Sequence, residues 1–233
     1  MAEGREIELV VADDAAGAAQ IVAERLADAA RTGGHAALTG GSTPKRAYEQ
    51  AADLAPDWSG VEAWWGDERC VPQDDERSNY AMAKGPLLDR LASGPAKVHR
   101  IRGELGRERG ATLYEQELAP LERFDLLLLG LGPDGHVASL FPDQPTLEET
   151  ERRAVGAEAK HPPYVDRITL TLPVLCAARA ILFLVAGEDK ADAVRRAFAG
   201  EPSRATPGSL VRAMHGTTTV VLDRAAAAHL PGK

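Results

Sequence analysis

Short apolar runs along this chain alternate with longer stretches in which apolar positions recur every three or four residues. The first run, IELVVA at 7–12, is apolar and β-branched and reads as a strand. Asp13 or Asp14 can cap the alanine-rich helix that follows to Arg31, and Gly33-Gly34 ends it. HAALTG at 35–40 repeats the strand, a GGST turn follows, and Pro44 at a first helical position opens a helix to about Leu54. VEAWWGDER begins a third unit, with a helix near NYAMAKGPLLDRL after the loop. KVHRI at 97–101, a helix near RERGATLYEQELAPL and FDLLLLGLG at 124–132 extend the alternation. RITLTL, AILFLVAG and TTTVVLD read as later strands, and PVLCAAR, DKADAVRRAF and the C-terminal RAAAAHL as helices.

Strands that are apolar throughout and alternate with amphipathic helices predict a parallel sheet covered on both faces. The expected fold is therefore a three-layer α/β/α sandwich with a mainly parallel, Rossmann-like sheet, formed as a single domain over 1–233. Ligands of such sheets sit outside the carboxyl ends of the strands, which directs attention to the loops GGSTPK, GDERCVP, GPDGH and GEDK. The stretch 142–165 is the least regular and is expected to be a surface excursion or a lid.

Composition narrows the classes of function. A net charge of −8 argues against bulk attraction to nucleic acid or anionic membranes, so an anionic ligand would need local positive contacts. The first residues, MAEGREIELVVADDA, show no basic leader before an apolar stretch, and no run approaches the roughly 18 apolar residues of a membrane helix. Cytoplasmic residence is the expectation. Cys70 and Cys176 lie far apart without CxxC or CxxH neighbours, so neither a disulfide framework nor a metal site is implied.

Gly130, Gly132 and Gly135 satisfy the dinucleotide spelling G-x-G-x-x-G after a strand. The context fails, because Pro133 lies inside the turn, Pro142 follows soon after, and no acidic residue closes the next strand. The loop at Gly40, Gly41, Ser42 and Thr43 is a better anion site, since it places backbone N–H groups and two hydroxyls at the positive end of a helix. Neither a Walker A spelling nor a nucleophile elbow is present there. Asp67, Glu68 and Arg69 bring three charges to a strand end, as site residues or as a solvated loop. Lys190 sits in the first turn of a helix, where a cation opposes the dipole and an anionic ligand would explain it. Arg167, just before ITLTL, fits ligand contact and surface solvation about equally.

Taken in order, GGSTP, then GDER with S-N-Y some ten residues on, then LGLGPDGHVASLFP, RITLTLPVL and GEDK resemble the 6-phosphogluconolactonases, relatives of the glucosamine-6-phosphate deaminases. The resemblance spans nearly the whole chain, and GPDGHVASLFP is its most specific piece. It implies a cytosolic hydrolase of the pentose phosphate pathway that opens 6-phospho-D-glucono-1,5-lactone, a small sugar-phosphate lactone, without cofactor or metal. It also implies that His136 is the general base toward water, with Asp134 fixing its tautomer. Asp67 and Arg69 join them as catalytic candidates, Arg69 as donor to oxyanion or phosphate. Gly40, Gly41, Ser42, Thr43 and Lys190, with Arg167, would hold the phosphate.

Two other readings differ in residues or in chemistry. Related deaminases read D-E-Y where this chain has Asp67-Glu68-Arg69, and place a glutamate where it has Phe141, a ring that cannot relay a proton. A catalytically silent sugar-phosphate sensor on the same fold would have no use for an intact His136. No heptad or long exposed apolar stripe predicts a dimer, so a monomer is expected.

Overall fold

Seven of the apolar runs pair into one sheet in the computed structural model of the chain, which describes residues 7–159 and 164–232. Its strands are β1 (Ile7–Ala12), β2 (Gly34–Leu38), β3 (Val61–Trp65), β5 (Lys97–His99), β6 (Leu126–Leu129), β9 (Ala180–Val185) and β10 (Thr217–Asp223). They run β1-β10-β9-β6-β2-β3-β5, and every neighbouring pair is parallel. β4 (Asp67–Arg69), β7 (Ala154–Ala157) and β8 (Arg167–Leu170) form a second, antiparallel sheet in the order β4-β8-β7. The helices are α1 (Ala15–Thr32), α2 (Lys45–Leu54), α3 (Asn79–Lys84), α4 (Arg107–Leu118), α5 (Leu172–Ala177) and α6 (Ala191–Phe198). The architecture is the three-layer α/β/α sandwich that the alternation predicts.

Local chemistry sets the element ends. The Asp14 carboxylate accepts from the Gly17 amide at 2.8 Å and caps α1, whose buried positions 18, 19, 22, 23, 26, 27 and 30 form one apolar stripe. Gly33 ends that helix at φ 78°, where a side chain would meet the Gly60 carbonyl oxygen at 2.8 Å. β6 is four leucines in succession, all buried, as expected of a central parallel strand covered on both faces. Each such side chain contributes roughly 1.5–3 kcal/mol by leaving water.

From β2 the chain builds β3 and β5 on one side, then returns to lay β6 and β9 on the other. The order of strands therefore reverses between β2 and β6, and the crevice at their carboxyl ends is the expected ligand position. The loops after β9, β6, β2 and β3, four adjacent strands, are the four motif-bearing loops.

Three expectations are corrected. VEAWWGDER does not continue as one strand. The Gly66 amide still donates to Leu38 O of the main sheet at 3.1 Å, while its carbonyl accepts from the Leu170 amide at 2.9 Å, so the chain changes sheets at this glycine. For the same reason RITLTL, as β8, lies antiparallel beside β4 and outside the parallel sheet. RAAAAHL forms hydrogen-bonded turns after β10: the Asp223 carboxylate accepts from the Ala226 amide, and the bonds from Ala228 N to Ala225 O and from Leu230 N to Ala227 O span three residues rather than the four of an α-helix. Within 142–165, β7 is tied to α4 where the Arg153 amide donates to Glu115 at 2.8 Å; residues 160–163 of that stretch lie outside the described residues. No helix of the described residues is long and apolar enough to cross a membrane.

Candidate active site

A cavity of about 280 Å³ opens at the crevice between β2 and β6. Its wall brings together Gly40, Gly41, Ser42 and Thr43 from the loop after β2, Asp67 and Arg69 from β4, His136 from the loop after β6, and Lys190 from the loop after β9. The sequence placed these side chains on four separate loops, and the strand order gathers them.

His136 is fixed by its own turn. Its Nδ1 lies 2.6 Å from Asp134 Oδ1, which also accepts from the His136 amide at 3.2 Å. A carboxylate on Nδ1 holds the proton there and leaves the lone pair on Nε2, the arrangement a general base needs. The turn tolerates only glycine at position 132, where a Cβ would stand 2.0 Å from His136 Nδ1. Gly135, at φ 94°, and Ala138, at φ 50°, occupy left-handed backbone on either side of the imidazole. The ring of Phe141 packs 4.9 Å from that of His136.

The anion side is built on α2. No side chain caps this helix, and the residues that lead into it, Ser42, Thr43 and Pro44, line the cavity at its positive end. The Gly41 amide donates to Met82 Sδ at 3.0 Å. The strand end behind the loop is clamped by Tyr48, fully buried, whose hydroxyl donates to Thr39 O at 2.6 Å and accepts from Thr39 N at 3.0 Å. Burial holds the phenol well above its usual pKa, so it stays a neutral donor. Tyr114 repeats the device on β3, donating to Trp65 O at 2.8 Å and accepting from Trp65 N at 3.1 Å. Lys190 enters from the opposite wall, 3.3 Å from Asp189 and about one-fifth exposed.

Asp67 and Arg69 have distinct settings. Both carboxylate oxygens of the buried Asp67 accept hydrogen bonds, from Asn79 Nδ2 at 2.9 Å and from Ser139 Oγ at 2.6 Å. Asp67 thereby ties the His136 loop to α3. The Arg69 guanidinium donates to Arg77 O at 2.5 Å while lining the cavity. Glu68 points the other way, accepting from the amides of Asn79 and Tyr80 at the start of α3 and from Ser78 Oγ. Burial raises its pKa despite these donors.

Arg167 is not brought onto the cavity wall. It is 4% exposed and stands directly across from Arg69 in the β4–β8 pairing, where burial and the Arg69 charge lower its pKa. Its β8 position in the second sheet, invisible in the strand pattern, puts it beside Arg69. Sequence reasoning passed over Tyr48, Tyr114, Asn79 and Ser139. The last two stand inside the quoted S-N-Y and DGHVASLFP motifs, which is the signal they carried. Among the described residues no cluster of three or more His, Cys, Asp or Glu is placed to hold a metal ion.

Comparison with known proteins agrees with this geometry. Residues 11–220 match the family described as glucosamine-6-phosphate isomerases/6-phosphogluconolactonase. The 6-phosphogluconolactonase of Streptomyces coelicolor is 40% identical, over 96% of this chain and 95% of its own. The human 6-phosphogluconolactonase is 39% identical, over 90% and 86% respectively. The solved structure of 6-phosphogluconolactonase from Trypanosoma cruzi superposes with a TM-score of 0.86 at 26% identity, covering 98% of both chains.

Proposed function

The chain belongs to the glucosamine-6-phosphate isomerase and 6-phosphogluconolactonase family, and from that membership we propose that it hydrolyses 6-phospho-D-glucono-1,5-lactone to 6-phospho-D-gluconate. The observation that carries the reading is the His136–Asp134 pair at 2.6 Å, set in one cavity with the uncapped start of α2 and Lys190. Lactone hydrolysis asks for those parts: a base for water, a donor for the carbonyl oxyanion, and a remote grip that orients the ring.

His136 Nε2 takes a proton from water as its oxygen bonds to the lactone carbonyl carbon. Negative charge develops on the carbonyl oxygen, where Arg69 supplies a planar, permanently charged donor. The tetrahedral intermediate collapses with cleavage of the bond to the ring oxygen, and the imidazolium returns its proton to that oxygen. Asp134 stabilises the imidazolium in between. Gly40, Gly41, Ser42, Thr43 and Lys190 hold the phosphate. Arg167, paired with Arg69 across the two strands, adds a second positive charge beside that guanidinium. Asp67 keeps the base loop and α3 in register. No step calls for a metal or cofactor, and the reading has the chain act as a monomeric single domain in the cytoplasm.

Phe141 supports hydrolysis over deamination, since its apolar ring packs against His136 where a deaminase needs a proton-relaying carboxylate. The test is acid release from freshly prepared 6-phosphogluconolactone, corrected for spontaneous opening, beside ammonia release from glucosamine 6-phosphate. Catalysed acid release without ammonia is expected. Ammonia release without lactone hydrolysis would assign the site to the deaminase branch.

A further inference from the structure

Behind the His136 turn lies a segment that the mechanism does not use. The Gly208 amide donates to Gly135 O at 2.9 Å, directly beside His136. The contact is close, for a Cβ at Gly208 would come within 2.5 Å of Leu131 Cδ1, and one at Gly135 within 2.8 Å of Thr206. The Arg212 side chain fastens this backing segment to α6. Arg212 Nη1 donates to Gly208 O at 2.9 Å and to Val211 O at 2.7 Å, and its Nη2 donates to Ala197 O at 2.6 Å.

Ala197 is near the carboxyl end of α6, and Lys190 immediately precedes the first residue of that helix. The Arg212 guanidinium satisfies an orphan carbonyl there and lies 5.3 Å from the Phe198 ring centroid. Among the described residues no carboxylate pairs with it, and burial lowers its pKa to about 10. A desolvated cation spent wholly on main-chain carbonyls is a costly way to join two segments that apolar packing would join as well. Directional donors do what apolar packing cannot, which is to fix a distance.

We propose that Arg212 is a positioning residue that sets the separation between the base His136 and the phosphate ligand Lys190, and so matches the site to lactones with a phosphate at the far end of the ring. The inference rests on the roles assigned to those two residues above. One end of the Arg212 link reaches Gly135 through Gly208; the other holds the helix that starts at Lys190. A second, exposed strut runs in parallel, from Arg196 of α6 to Pro133 O at 3.2 Å.

The separation is read by comparing a ligand that spans both ends with one that occupies a single end. Arg212→Met keeps an unbranched apolar stem and removes every donor together with the charge beside Phe198. Calorimetric titration should show 6-phosphogluconate bound about tenfold more weakly, inorganic phosphate bound within about twofold of the parent, and kcat on the lactone lowered by at least about tenfold. Arg212→Lys, which keeps the charge and part of the hydrogen bonding, should restore part of both losses. A merely structural role lowers the melting temperature and leaves the affinities of the folded fraction unchanged; that result, or equal weakening of both ligands, overturns the proposal. If Arg212→Met does not fold, Arg212→Lys and Arg212→Gln carry the same comparison. A parent enzyme that binds 6-phosphogluconate no better than inorganic phosphate would overturn the reading of the site itself.

Discussion

Arg69 shows how much of a residue's role depends on what holds it. One edge of its guanidinium is anchored on the Arg77 carbonyl, and the buried Arg167 stands beside it on the paired strand. A donor fixed before the reaction begins costs little reorganisation when charge appears on the lactone oxygen. Arg69→Ala is therefore expected to lower kcat by about 10²–10³, and Arg69→Lys, which keeps the charge and loses the planar fork, should fall between. Steady-state kinetics decide it: an Arg69→Ala enzyme with unaltered kcat would reduce the arginine to an anchor for α3. At this scale the sequence was legible where a motif is compact. His136 and Asp134 lie two apart in one turn, and spacing alone brings them together. Arg167 was not, because its place depends on which sheet receives β8.

Elements carry the next layer of control. The loop after β2 and the end of β3 are each pinned by a buried tyrosine reaching in from a helix, Tyr48 from α2 and Tyr114 from α4. Tyr48→Phe leaves the Thr39 amide and carbonyl without their buried partner, at a cost of about 1–3 kcal/mol. Denaturant unfolding should show that loss, and KM should rise more than kcat falls, because the loop released is the phosphate cradle. Unchanged stability and KM would mean that the tyrosine merely fills space. Hydrophobic patterning located nearly every strand and most helices, because a buried parallel strand must be apolar on both faces. It could not show that the chain leaves the main sheet at Gly66, since the charged residues of β4 follow the apolar ones of β3 after a single glycine and the change of sheet shows in the hydrogen bonds of that glycine to Leu38 and Leu170. Alanine content likewise favoured a C-terminal helix, where composition does not distinguish four-residue helical bonds from the three-residue turns that form.

Across the whole molecule the balance of charge opposes the task. A chain of net charge −8 is proposed to bind a phosphate dianion, so its positive groups must act at short range. The fold achieves this by topology: reversal of strand order between β2 and β6 collects Lys190, Arg69 and the α2 dipole around one cavity of about 280 Å³. The base stands in that same cavity, and the central claim is that His136 performs the chemistry while its neighbours hold the phosphate. Turnover of 6-phosphogluconolactone by His136→Asn, measured against spontaneous hydrolysis, with 6-phosphogluconate binding followed on the same sample, tests it most directly. The account predicts that kcat falls by about 10²–10⁴ while the product still binds with near-parent affinity. An His136→Asn enzyme that binds 6-phosphogluconate normally and turns over the lactone at the parent rate would contradict it.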